Sequence, residues 1–227
     1  HPKLPGEVYA LADDCRLLKR YEDARQLWQR VVDNCPDSND VIVMKSRIGI
    51  ITADINLGDN PNVLADVNEL IADYNDQPGL CQAVFRIGEE YYNKAFQMEN
   101  EGIKSESEDC FQKAVAVWEK IIPLETRTSY PAQAYCFSGH CYRKLGEYEK
   151  STAYYQYVVA NYPEHRTAWQ ALFRVAHNYE DMKDLGIISK TEADPVIKAA
   201  YRQLLEKYPD CKMARVAQRW LSRHNSK

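Results

Sequence analysis

The sequence predicts an all-α fold built from stacked helix hairpins, and three observations carry that prediction. Only 9 glycines and 10 prolines in 227 residues leave few of the tight turns that a sandwich or barrel of strands requires. With 45% hydrophobic and 27% charged residues, the composition is that of an ordinary globular chain that buries a core. Most telling is one spacing that occurs twice, more than a hundred residues apart. From Gly139, Tyr142 follows at +3, Gly146 at +7, Tyr148 at +9, Ser151 at +12, Tyr155 at +16, Val158 at +19 and Pro163 at +24. From Ala12 the same offsets give Cys15, Lys19, Tyr21, Ala24, Trp28, Val31 and Pro36.

The physical sense of this spacing is a pair of packed helices. Gly139 or Ala12 lets the second helix approach closely, and the aromatics at +3 and +16 fill the space between. Gly146 or Lys19 marks the short turn, and the proline ends the second helix because it cannot continue the hydrogen-bond ladder. One hairpin cannot bury its own apolar stripe, so neighbours must stack. The units are expected at about 5–38, 44–77, 81–128, 132–165 and 169–211, within a single domain over 1–227.

The other copies are less regular. From Ile51, Gly58 marks a turn, Asn60-Pro61 a helix start, and Val67 and Leu70 the buried side of the second helix. From Gly88, Tyr91 stands at +3, but Ala114, Trp118 and Ile121 arrive about 14 residues late, after the polar segment QMENEGIKSESED. That segment reads as either an extended helix pair or a loop. From Ala176, Tyr179 stands at +3, and Ile197, Tyr201, Leu204 and Pro209 follow about nine residues late, with Asp194-Pro195 expected to open the second helix. Residues 212–224 form a last amphipathic helix, with Met213, Val216, Ala217 and Trp220 on one face, suited to capping the stack.

Charge and motifs exclude several functions. A net charge of -4 and a pI of about 5.8 lack the basic footprint of a nucleic-acid binder. The most apolar segment, Val41 to Leu57, is interrupted by Lys45, Arg47 and Asp54, so no membrane insertion of this chain is expected. The chain opens on His1, as a processed or trimmed piece would. No phosphate-cradling loop, nucleophile elbow or HExxH stands in the sequence, and no catalytic residue, cofactor or metal is expected. The acid pairs Asp13-Asp14 and Glu89-Glu90, and the acidic run from Glu99 to Asp109, read as solvated helix or loop surface. Seven cysteines without a CxxC pair read as buried reduced thiols, which favours a reducing compartment such as the cytoplasm. Of the 16 tyrosines, Tyr21, Tyr91, Tyr142, Tyr148, Tyr155, Tyr179 and Tyr201 fall on packing positions, while Tyr154 and Tyr157 are expected to be exposed.

The spacing from Gly139 and from Ala12 resembles the tetratricopeptide repeat (TPR). The resemblance is strong at 132–165, good at 5–38 and degenerate in the other three units. It implies a right-handed α-solenoid of about five TPR-like hairpins plus a C-terminal capping helix, with an inner surface formed by the first helix of each hairpin. The phrases VVANYPEHRTAWQALFRVAHNYEDM and LLEKYPDCKMARVAQRWL are similar to repeats of bacterial envelope proteins, such as the outer-membrane assembly lipoprotein and the Tol–Pal coordinator. That likeness implies the periplasm or cell envelope, against the cysteine count.

The register of each first helix gives the expected inner face. It comprises Tyr9, Asp13 and Arg16, then Lys45, Ile48, Thr52 and Ile55, then Gln82, Phe85, Glu89 and Tyr92. The last two hairpins give Gln133, Cys136, His140 and Arg143, and Gln170, Phe173, His177 and Glu180. Chaperone-binding repeats carry a Lys/Asn/Arg clamp for a C-terminal carboxylate; the matching positions hold Tyr9, Asp13, Ile48, Thr52, Cys136 and His140, so that clamp is absent. The mixed polar and aromatic surface is expected to take a protein or peptide ligand, and the peptide-binding residues are read as Tyr9, Arg16, Lys45, Phe85, Glu89, Tyr92, Gln133, His140, Arg143, Phe173, His177 and Glu180. The alternative is a structural subunit that assembles through its ends or convex face. Cys136, His140, His177 and Glu180 are residue types that bind zinc, but are read as ordinary inner-face polar groups beside a buried cysteine.

Overall fold

A computed structural model describes residues 4–35, 41–58, 61–124 and 129–224, and every regular element among them is a helix. Two compact units divide the chain, His1–Tyr130 and Pro131–Lys227.

In the first unit, α1 (Leu4–Leu17) pairs with α2 (Tyr21–Asn34), α3 (Val41–Leu57) with α4 (Val63–Tyr74), and α5 (Leu80–Asn100) with α6 (Lys104–Trp118). The chain then enters α7 (Tyr130–Lys144), which packs with α8 (Tyr148–Asn161) in the second unit. There, α9 (Ala168–Asp184) packs against α8 and α10 (Lys190–Lys207), and α11 (Ala214–His224) closes on α10.

The turns explain why the spacing repeats. Lys19 has φ 59° and Gly146 φ 77°, and in both places the chain closes the helix with the same pair of bonds. Lys19 N–H donates to the Arg16 carbonyl at 2.9 Å and Arg20 N–H to that of Cys15 at 2.9 Å; Gly146 and Glu147 repeat this onto Arg143 and Tyr142 at 3.1 and 2.8 Å. This left-handed cap satisfies carbonyls the helix end would otherwise orphan, and it fixes the reversal. The same closure follows α5, where Ile103 N–H donates to the Met98 carbonyl at 2.9 Å. It settles the open reading of QMENEGIKSESED: the segment extends both helices, and the acidic run is split between the end of α5, the turn and the start of α6.

Packing follows the small-residue positions. A Cβ on Gly139 would stand 3.0 Å from the Tyr155 ring, as the +16 rule requires. Ser151 donates to the Gly139 carbonyl at 2.7 Å and accepts from Asn178 at 2.8 Å, so buried polar groups tie α7, α8 and α9 together. In the first unit, Trp28 shares a cluster with Ala12, yet its ring lies on Gly49 of the next hairpin. Trp118 instead lies on Gly88 of its own hairpin.

Two helix starts and one buried face differ from expectation. α10 does not begin at Asp194-Pro195; Ser189 caps it through a capping box with Glu192, which satisfies the first-turn N–H groups a turn earlier and leaves Pro195 inside the helix. α4 starts at Val63 with Asn62 as N-cap, after Pro61. Pro36 and Asn60 lie outside the described residues. On α11, Ala217 and Leu221 are buried while Val216 is exposed, so the inward face is turned from the expected one.

Tyr91, Tyr155 and Tyr201 are buried, and Tyr21, Tyr142, Tyr148 and Tyr179 are half-buried. Tyr157 is exposed, whereas Tyr154 is half-buried between the rings of Tyr135 and Tyr142. All seven cysteines are free thiols; five are buried, and Cys35 and Cys211 are partly accessible. Burial pushes the Cys136 thiol up to about 11 and raises those of Cys110 and Cys141. Since the thiolate is the reactive form, a colourless aromatic disulfide reagent at pH 8 should label Cys35 and Cys211 fast. The other five should label only in denaturant, and rapid labelling of more than two thiols in the folded protein would contradict this packing.

Candidate functional site

Three successive first helices, α1, α3 and α5, bring polar side chains to one cavity of about 430 Å³ in the first unit. The spacing of α1 places Tyr9, Asp13 and Arg16 on one face, and α3 does the same for Lys45, Ile48 and Thr52. α5 adds Arg86, Glu89, Glu90 and Asn93, and Trp28 and Gly49 complete the lining.

The cavity is electrostatically mixed. Arg16 Nε donates to Asp13 Oδ1 at 2.8 Å, and this bond raises the guanidinium pKa. Burial, reinforced by the Asp13 carboxylate, raises that of the Tyr9 phenol. Glu89 is pushed up chiefly by desolvation, with Arg86 acting in the opposite sense. Asn56 reaches Glu90 Oε2 at 3.4 Å. Lys45 and Arg86 stand exposed at the rim. Such a site offers donors, acceptors, both charge signs and an aromatic ring within one opening.

Four of the twelve candidate residues, Tyr9, Arg16, Lys45 and Glu89, line this cavity together with Asp13, Ile48 and Thr52. Phe85 and Tyr92 sit elsewhere. Phe85 is 3% exposed and stacks on Trp118 at 5.7 Å, and Tyr92 meets Trp118 at 5.8 Å and Phe96 at 4.9 Å. The register on α5 is therefore one residue further along than expected, at 86, 89, 90 and 93 instead of 82, 85, 89 and 92. Arg86 and Asn93 sit three before and four after Glu89, which was the signal available for them.

The second unit places the remaining candidates in smaller groups. Gln133 is buried and accepts from Arg166 at 3.3 Å, and His140 is half-buried. Arg143 pairs with Asp181 at 2.5 Å. Phe173 is 9% exposed, within the core, and packs edge-on to His177 at 4.6 Å. His177 Nδ1 stands 3.6 Å from Glu180 Oε2, and Tyr201 donates to Glu180 Oε1 at 3.4 Å. Cys136 points its thiol at the Thr167 carbonyl, 3.9 Å away. Among the described residues no three His, Cys, Asp or Glu side chains come together to hold a metal ion. None of the described helices is long and apolar enough to cross a membrane.

Desolvation lowers the His177 pKa below its usual 6.5, helped by Arg143 and Arg174 and opposed by Asp181. Because the unfolded chain then binds the proton first, stability is full above that value and lost as pH falls through it. His165 acts in the same sense, again mainly through burial. Glu180, raised by desolvation from 4.5, has the opposite sign: its contribution is present at low pH and lost as pH rises. Urea midpoints should fall between pH 7.5 and 6.0, and His177→Gln should shrink that fall. An undiminished fall in the variant would show that His177 is not responsible.

A family model described as Tetratricopeptide repeat matches residues 9–38 and 138–165. No curated protein matches the chain. Among solved structures, a thermophilic TPR protein of Thermus thermophilus is 19% identical, with 93% of this chain and 95% of that one covered at a TM-score of 0.46. A putative kinesin light chain of Podosopora anserina with nearly identical TPR-like repeats is 15% identical, covering 93% and 99% at a TM-score of 0.48. The MamA protein is 16% identical, covering 95% and 96% at 0.47. None of this supports the narrower likeness to bacterial envelope repeats. The two matched segments coincide with α1–α2 and with the α7–α8 hairpin, whose turns close in the same way. Two segments of the chain, residues 9–38 and 138–165, are thus matched by the tetratricopeptide repeat.

Proposed function

We propose that the cavity of the first unit captures an extended or helical segment of a partner protein, without chemical change to it. One observation carries this reading: seven residues expected on the inner face from register alone, drawn from α1 and α3 and from Glu89 of α5, line a single opening. The partner segment would meet Tyr9 as an aromatic platform, Lys45 and Arg86 as rim cations, and Glu89 as a partly desolvated acceptor. A segment carrying both a carboxylate and a basic side chain satisfies all three.

Selection of peptides from a displayed random library, using immobilised protein, tests this. Peptides retained by the wild type should be lost by Lys45→Ala/Arg86→Ala/Glu89→Ala, whose substitutions sit on exposed or half-buried positions and leave the core intact. Equal retention by the folded variant, or no retained peptide at all, would contradict the proposal.

A further inference from the structure

Two apolar features use none of the residues that line the cavity, a leucine stripe on α1 and a shallow groove in the second unit. On α1, Leu4 and Leu11 are 57% and 53% exposed, and Leu18 just beyond it is 70% exposed. They recur every seven residues, so they share one helix face with Glu7 and Asp14 between them. Isolated exposed leucines are ordinary, but three in a row on one face form a patch. In the second unit, α8, α9 and α10 enclose a groove of about 440 Å³. Val159, Leu172, Val175, Val196 and Ala199 line it, and Lys207 is the one charged side chain among its described lining residues.

From these features we infer that the leucine face of α1 docks into the α8–α10 groove of a second copy of this chain. The stripe fits the groove in length: Leu4 to Leu11 spans about 10 Å of α1, within the about 16 Å from Val196 to Lys207 on α10. Charge agrees as well. The exposed charges interleaved with the leucines are carboxylates, and the charge in the groove is a lysine. A two-fold contact of α1 on α1 would set Glu7 and Asp14 against their own copies, with no cation among the described residues of that face to offset them. The contact is thus heterologous, with different surfaces meeting, and it propagates head to tail into a chain or ring. It involves none of the residues that line the cavity, so it stands or falls apart from peptide capture.

Sedimentation velocity across a concentration series tests the inference. The wild type should grow beyond its 26.3 kDa monomer as concentration rises. Leu11→Glu spoils the stripe and Ala199→Arg fills the groove, both at exposed positions that leave folding intact by circular dichroism. Each variant alone should stay monomeric. Mixed together, they should form a 1:1 dimer, because one keeps an intact groove and the other an intact stripe. A wild type that stays monomeric to millimolar concentration would overturn the inference. So would assembly of Ala199→Arg like wild type, which is the mark of an α1–α1 contact, or a mixture that gives no dimer.

Discussion

Replacing Trp118 with alanine is expected to lower the stability of the first unit by about 3–5 kcal/mol. The indole is fully buried, and its Nε1–H donates to the Phe85 carbonyl at 3.0 Å, so truncation opens a cavity and removes a buried hydrogen bond. The ring also anchors an aromatic cluster, stacking on Phe85 and meeting Tyr92, which in turn contacts Phe96 and Phe111 edge-on. Trp118→Phe keeps most of the volume but loses the hydrogen bond, and should cost a fraction of the alanine loss. Urea unfolding followed by circular dichroism measures both. A loss under about 1 kcal/mol for alanine, the scale of a surface change, would show that this cluster does not hold α5 to α6.

The second large effect comes from adding a methyl group rather than removing a ring. A Cβ on Gly88 would lie 2.2 Å from Trp118 Nε1, and one on Gly49 would lie 2.4 Å from Trp28 Cδ2. Helix propensity alone favours alanine over glycine by about 1 kcal/mol. Overpacking a filled interior costs about 1–3 kcal/mol, occasionally more, and here the obstructing atoms are buried rings with no room to shift. Overpacking wins, so Gly88→Ala and Gly49→Ala should both be destabilising. Gly139→Ala provides the contrast, because its Cβ would meet Tyr155 at 3.0–3.2 Å and a small ring movement relieves it. The two terms nearly cancel there. Equal denaturant midpoints for Gly88→Ala and Gly139→Ala would refute the close approach of Trp118.

These contacts show why some of the molecule could be read from its sequence and some could not. The hairpins at 5–38 and 132–165 were legible because turn, small residue and aromatic sit within one hairpin, where fixed offsets translate directly into contacts. Lys19 and Gly146 take the same left-handed turn despite their different chemistry. Trp28 was harder, since its ring lies on Gly49 of the next helix, a contact that no offset within its own repeat encodes. The third hairpin was hardest. Lengthening α5 and α6 let Trp118 reach Gly88 from 30 positions away and drew Phe85 and Tyr92 inward, turning the polar face of α5 by one residue. Register fails where an insertion changes which helix face is covered. The α10 start was legible after all: Ser189 and Glu192 form a capping box, but Asp194-Pro195 is the louder local signal.

The candidate site divides along the same line. Of the residues expected on the inner face of α1 and α3, Tyr9, Asp13, Arg16, Lys45, Ile48 and Thr52 line the cavity, whereas Ile55 is buried away from it. Arg86, Glu90 and Asn93 were missed through the shift on α5. Phe173 illustrates another limit, since an aromatic on a first helix serves the core as readily as a groove, and here it packs on His177 and Tyr201. A variant removing Phe85 or Phe173 would therefore report on folding before it reported on binding.

The central claim is that a partner segment occupies the cavity between α1, α3 and α5. The most direct test replaces Ile48, at the cavity lining, with a photo-reactive benzoylphenylalanine, and compares it with the same replacement at Arg30, exposed on α2. With a peptide selected by the wild-type protein, irradiation should cross-link position 48 and leave position 30 unlabelled. Cross-linking at position 30 with none at 48 would place the ligand on another surface and contradict the claim.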